Sequence, residues 1–180
     1  MKKVLVFLAN GSEEIEALTP VDILRRAGAN VTFAGVPERE CVCSHGITVV
    51  TDTDVSKCVD EEYDMVVIPG GMPGTINLGE NADVINIVKK AYESGKFVSA
   101  ICAAPSILGQ MGLLQGKKAT CYPGFEDKLI GACKSEEKAV RDGNIITACG
   151  AGAAMDFALL LTEALYGKEI SENLRKAVMA

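Results

Sequence analysis

A chain of 180 residues with 48% apolar and 23% charged side chains can bury one sizeable core without disulfides or metal, which excludes disorder and collagen-like repeats. Lys and Arg number 18 against 24 Asp and Glu, a net charge of −6 with no dense basic cluster, and this argues against nucleic acid as a partner. One histidine, His45, cannot build a multi-histidine metal site, and seven cysteines without a CxxC pair give neither a zinc ribbon nor a thioredoxin motif.

Met1-Lys2-Lys3 leads into the apolar run Val4 to Ala9, too short for a signal or membrane segment and bounded by Asn10-Gly11. That run reads as a buried strand, and the expected location is the reducing cytoplasm, with free thiols and no membrane contact. Ser12 is placed to cap a helix whose first turn holds Glu13 and Glu14. Its apolar face is predicted to run Ile15, Leu18, Val21, Leu24 up to Gly28, with a kink or restart at Pro20.

Further strands are predicted at Val31 to Val36, Ile47 to Val50 and Met65 to Ile68, each rich in β-branched residues. A helix over Asp83 to Ser94 ends at Gly95, and the strand Phe97 to Ile101 runs into a helix from Ala103 to about Met111. Ala119 to Tyr122 reads as a strand. Lys138 to Arg141 and Asn144 to Cys149 read as a hairpin turning at Asp142-Gly143, and helices over Ala153 to Tyr166 and Ile170 to Val178 close the chain. Apolar strands alternating with helices predict an α/β fold: a doubly wound, mostly parallel sheet sandwiched by helices, with a small β-hairpin, all in one domain over residues 1–180. In such sheets ligands bind beyond the carboxyl ends of the strands, here the loops Asn10 to Glu16, Pro69 to Gly74 and Cys102 to Pro105.

Three chemical signals fall on those loops. Cys102 sits at a strand-to-helix turn between small residues, the layout of a nucleophile elbow. Backbone N–H groups at the following helix start are expected to lower its pKa from about 8.5 to roughly 3.5–7.5. Gly70-Gly71 lets the backbone approach a ligand, so Gly71 and Ala103 form a candidate oxyanion hole. Glu16, turned toward the buried face of its helix, is expected to be desolvated with a raised pKa, its proton available to a thiolate.

Other patterns carry less. Gly150-Ala-Gly152-Ala-Ala-Met155 has methionine where a dinucleotide fingerprint needs its third glycine, and Gly112 to Lys118 lacks the spacing of a P-loop. Cys41-Val-Cys43-Ser-His45 has no fourth ligand nearby, so no metal is expected.

Asn10-Gly-Ser-Glu-Glu-Ile-Glu16-Ala, Pro20 to Gly28, Ile68-Pro-Gly-Gly71, Ala100-Ile-Cys102-Ala-Ala-Pro105, Asp156-Phe-Ala-Leu and Glu163 to Lys168 together closely resemble the DJ-one (ThiJ/PfpI) family, in its compact, YajL-like branch. The resemblance covers essentially the whole chain. It implies a flavodoxin-like sandwich that forms a homodimer, with no metal or organic cofactor. It also implies a reactive cysteine at Cys102, a protonated glutamate at Glu16, and backbone groups of Gly71 and Ala103 on the oxyanion side. Many members carry a histidine where this chain has Tyr122. This argues against a Cys-His protease mechanism, and Gly70, Tyr122 and His45 are candidate pocket residues.

The resemblance implies a cysteine-dependent glyoxalase III or deglycase-like activity on small 2-oxoaldehydes, methylglyoxal to lactate, in carbonyl and oxidative stress defence. The alternative it leaves is a redox sensor or chaperone acting through oxidation of Cys102. A weaker one is an amidase or peptidase.

Overall fold

The strand β1, Lys3–Ala9, buries Leu5 and Phe7 on one face and Val4, Val6 and Leu8 on the other, so its unbroken apolar run follows from having a core on both sides. The computed structural model describes residues 1–180. After β1 come helix α1, Glu14–Arg26, then β2, Asn30–Val36, β3, Glu40–Val42, β4, Thr48–Val50, and β5, Thr53–Asp54. The middle of the chain forms β6, Met65–Ile68, α2, Gly74–Glu80, α3, Ala82–Glu93, β7, Phe97–Ile101, and α4, Pro105–Gln110. It ends with β8, Lys118–Ala119, β9, Cys133–Lys134, β10, Ala139–Asp142, β11, Ile145–Ala148, α5, Ala154–Tyr166, and α6, Lys168–Ala177.

Seven strands form the central sheet in the order β10-β11-β7-β6-β1-β2-β5, parallel throughout except for the β10–β11 hairpin. Leu5, Phe7 and Ile68 pack with α3 and α4 on one face; Val4, Leu8 and Met65 pack with α1 and α5 on the other. The chain leaves β1 toward β2 and returns to its other side as β6, so the order reverses between β1 and β6. The loops after these two strands, with the one after β7, therefore border one crevice.

Several elements differ from expectation. The face of α1 is rotated: Glu16, Ala17, Pro20, Val21 and Leu24 are buried, whereas Ile15 is 54% and Leu18 39% exposed. The helix runs through Pro20 without interruption, and its cap is Glu13, not Ser12. Ser12 is instead buried, its hydroxyl accepting the N–H of Ala9 at 3.1 Å. The strand predicted over Ala119 to Tyr122 shrinks to β8, which pairs with β9 outside the central sheet. Likewise β4 pairs with the unpredicted β3 in a separate two-stranded ribbon. The β10–β11 turn comprises residues 143–144, because Asp142 is already paired with Ile145. Helix α2 has no counterpart among the predicted elements, since its glycines at 74 and 79 disguise it as loop.

Phe157 of α5 is fully buried in the core shared with α1. Phe157→Ala is expected to lower folding stability by about 3–5 kcal/mol, read as a fall in the urea midpoint at unchanged slope.

Candidate active site

Cys102 follows β7 directly, with φ of 66°, a left-handed conformation that a residue with a Cβ adopts at a cost. Both its peptide groups are held: its N–H donates to Ala148 O at 2.9 Å, and its carbonyl accepts from Tyr122 N–H at 2.8 Å. This turn leaves the Cys102 side chain beside Gly70, two residues beyond the end of β6. A Cβ built on Gly70 would lie 2.6 Å from Cys102 Cβ and 2.6 Å from Glu16 Oε2. Only glycine lets these two side chains meet over the loop. Gly70→Ala is accordingly expected to lose about 1–3 kcal/mol of stability and to disperse the pair, measurable as slower alkylation or turnover at Cys102.

Glu16 is brought there by the first turn of α1. Glu13 accepts the Glu16 N–H at 2.8 Å through its side chain and donates its own N–H to Gly70 O at 3.0 Å, locking the helix start to the loop after β6. Glu16 Oε2 accepts the Gly70 N–H at 2.9 Å, while Oε1 is buried without a hydrogen-bond partner. Burial raises the Glu16 pKa from 4.5 to about 7, against the lowering effects of Cys102 and Gly70 N–H. Gly71, with φ of 87°, and Ala103 flank Cys102, and their backbone N–H groups lower its pKa.

The electrostatics of the thiol run opposite to the expected lowering. Burial first, then the charge and hydrogen bonding of Glu16, push Cys102 up to about 12, and the Gly71 and Ala103 N–H groups only partly offset this. The helix expected to favour a thiolate starts three residues later, at Pro105, and has only six residues. Cys102 and Glu16 thus titrate as one pair, and an ionised Glu16 keeps the proton on sulfur. This arrangement suits a thiol that gives its proton to Glu16 as it attacks.

The sequence model described as the DJ-1/PfpI family matches residues 2–164. The chain belongs to the DJ-1/PfpI family. Its fold superposes on that of oxidized Toxoplasma gondii DJ-1 with a TM-score of 0.96 at 39% identity, covering 99% of this chain and 98% of the other. Arabidopsis thaliana protein DJ-1 homolog A is 41% identical over 99% of this chain, which spans 46% of that relative's length. A Caenorhabditis elegans member named glutathione-independent glyoxalase DJR-1.2 is 32% identical, the match covering 97% of this chain and 95% of that one.

Within this DJ-1/PfpI site the remaining sequence candidates separate. Tyr122 borders it: its N–H holds the Cys102 carbonyl, and its half-exposed ring lies against Gly150. His45 is bound elsewhere, its N–H and Nδ1 reaching Glu14 at 2.8 and 2.9 Å and its ring meeting Ser44 Oγ at 3.1 Å. Glu14 and Glu16 are two residues apart and so point in opposing directions from α1, which keeps His45 from the thiol in this chain. Burial pushes Glu14 up, yet the bonds from His45 and Ser44, with backbone N–H groups, outweigh it and hold the carboxyl at about 2. Its hydrogen bond with Glu14 raises the His45 pKa.

Glu13, Glu14 and His45 place one ligand atom each within 4.8 Å of one another, the single such grouping in the protein. Glu14 already accepts bonds at both oxygens and Glu13 caps α1, so these groups are engaged in holding the loop. The positioning role of Glu13 escapes sequence reading because an acid in a first helical turn has a sufficient explanation in the helix dipole. No helix is long and apolar enough to cross a membrane.

Proposed function

We propose that the protein is a glutathione-independent, cysteine-dependent glyoxalase that converts small 2-oxoaldehydes such as methylglyoxal to the 2-hydroxy acid without metal or organic cofactor. The observation that carries this reading is the meeting of Cys102 and Glu16 over Gly70, where the backbone N–H groups of Gly71 and Ala103 lower the thiol's pKa. The name of the nematode relative supports the same chemistry.

In this mechanism the Cys102 sulfur bonds to the aldehyde carbon while its proton passes to Glu16. The aldehyde oxygen becomes an oxyanion received by Gly71 and Ala103, then takes that proton from Glu16 to give the hemithioacetal and leave the carboxylate ionised; removing one such donor typically costs about 3–4 kcal/mol. The hydrogen on that carbon passes through Glu16 to the neighbouring carbon, and the hydroxyl proton passes to the neighbouring oxygen, leaving a thioester beside an alcohol. Water cleaves the thioester, releasing lactate and the thiol. Deglycase-like action on an aldehyde adduct would begin with the same attack by sulfur.

The test is lactate formation from methylglyoxal without glutathione or metal, followed across pH. The proposal expects kcat/KM to rise with pH to a plateau, half-maximal at about 7, where Glu16 loses its proton and becomes able to accept one from sulfur. No lactate at any pH would overturn it.

A second reading, a redox sensor, is favoured by one feature: Cys102 is partly exposed and has two N–H donors able to hold a sulfinate oxygen. Mild peroxide should then add two oxygens at Cys102 alone, by intact mass and peptide mapping; oxidation scattered over the other cysteines counts against it.

A homodimer is part of the same proposal. Ile15 and Leu18 of α1 and Val42, Ile47 and Val50 of the β3–β4 ribbon are exposed, and the bonds from Glu14 to Ser44 and His45 tie the helix to that ribbon. Exposed apolar residues on two joined elements fit the face of a second copy. Sedimentation should give twice the chain mass of 19.0 kDa, and Leu18→Glu should shift it toward the monomer.

A further inference from the structure

Two cysteines that the proposed reaction does not use lie beside the reactive one. Cys121 is buried and Cys149 partly exposed, and they line the same groove together with Pro123 and Glu126. Cys149 also borders the neighbouring groove with Tyr122 and Lys138, so it is open from two sides.

Their segments are stitched together around them. Thr120 N–H donates to Thr147 Oγ1 at 2.9 Å, placing the residue before Cys121 two residues short of Cys149. Cys149 N–H is fixed on Lys138 O at 2.9 Å. Burial and then Glu126 push the Cys121 thiol up to about 11, with Lys134 opposing and Cys149 adding to the rise. Cys102 is a neighbour in sequence register, since Ile101 pairs with Ala148, but its strained backbone turns its side chain toward Gly70. Cys133, on β9, pairs with Lys118, three residues from Cys121 and about 10 Å along an extended chain. The thiol best placed for Cys149 is therefore Cys121.

We propose that Cys121 and Cys149 are a reversible redox pair, a dithiol that closes to a disulfide under hydroperoxide, separate from Cys102. Cys149 is the thiol a peroxide can reach. Its sulfur takes one oxygen from the peroxide as sulfenic acid, the O–O bond breaks, and the other oxygen leaves as alcohol or water. The Cys121 sulfur then attacks that sulfenic acid, forming the S–S bond and releasing water. Two thiols lose two electrons and one hydroperoxide is reduced. The segments so joined are those that hold the Cys102 peptide, through Tyr122 N–H and Ala148 O.

The experiment treats the full-length native protein with excess hydrogen peroxide, blocks remaining thiols, and maps peptides without reduction. The expected result is a crosslinked pair of peptides containing Cys121 and Cys149, lighter than their sum by two hydrogens and restored by dithiothreitol. Cys149→Ser should abolish that crosslink, and Cys102→Ser should retain it, which separates this pair from any chemistry at Cys102. Recovery of Cys121 as a free thiol after Cys102 or Cys149 has been oxidised, or a crosslink of Cys149 to Cys133, would overturn the proposal. Failure of lactate formation would leave it standing, because no step here depends on the aldehyde reaction.

Discussion

Replacing Cys102 by serine is expected to lower lactate formation from methylglyoxal by at least about 10³-fold, because serine keeps the size and the turn but loses the soft sulfur nucleophile. The Gly71 and Ala103 donors and Glu16 would all remain, so any residual rate measures what they achieve without covalent attack. Lactate itself has to be measured. The protein has seven cysteines, and exposed thiols such as Cys133 consume aldehyde reversibly without turning it over. Wild-type turnover in Cys102→Ser would remove the cysteine from the mechanism and with it the proposed chemistry.

Glu16→Gln has two expected effects that a merely structural glutamate would not combine. Turnover should fall by about 10²- to 10⁴-fold, since the amide can neither take the thiol proton nor carry hydrogen between carbons. Stability should change its dependence on pH. In the folded protein Glu16 keeps its proton up to about 7, whereas the unfolded carboxyl releases it near 4.5. Between those values the native state binds the extra proton, so its stability falls as pH rises, by an amount on the order of 3 kcal/mol once both states are ionised. A neutral amide in the same place carries no such cost. Urea denaturation of the variant should therefore match wild type near pH 4.5 and show a relative gain above pH 7; a constant difference across that range would mean that the carboxyl is not buried as a titrating group.

The oxidation state of Cys102 bears on both measurements. A sulfinate at that position would remove the nucleophile and place a permanent charge beside Glu16, so samples should be prepared reduced and checked by mass before rates are compared.

Local order is legible because it is written in short stretches. The runs Val4 to Ala9 and Met65 to Ile68 can be apolar at every position only when covered on both faces, and that alone implies a parallel sheet between helices. The elbow at Cys102 is legible from small residues around a strand-to-helix change, and the glycine pair from its place after β6. Boundaries fail where tertiary contacts override periodicity. Ile15 and Leu18 look like a core stripe, but Glu16 needs the inward direction to reach Gly70, and the helix is rotated to supply it. Residues 119–122 look like a strand, yet the segment from Thr120 to Tyr122 bonds instead to Thr147 and to the Cys102 carbonyl.

The sequence by itself determined the α/β sandwich, the strand-end loops that border the crevice, and Cys102, Glu16, Gly70, Gly71 and Ala103 as the residues to look for there. Only the tertiary structure decided how they act on one another. Proton affinity depends on burial and on the distance to a neighbouring charge, and neither quantity exists along a chain: a helix start suggested a low cysteine pKa, whereas the folded pair places Glu16 at about 7 and the thiol at about 12. The same holds for His45, which a one-dimensional reading leaves free to approach the thiol and which the fold binds to Glu14, on the other side of the helix from Glu16.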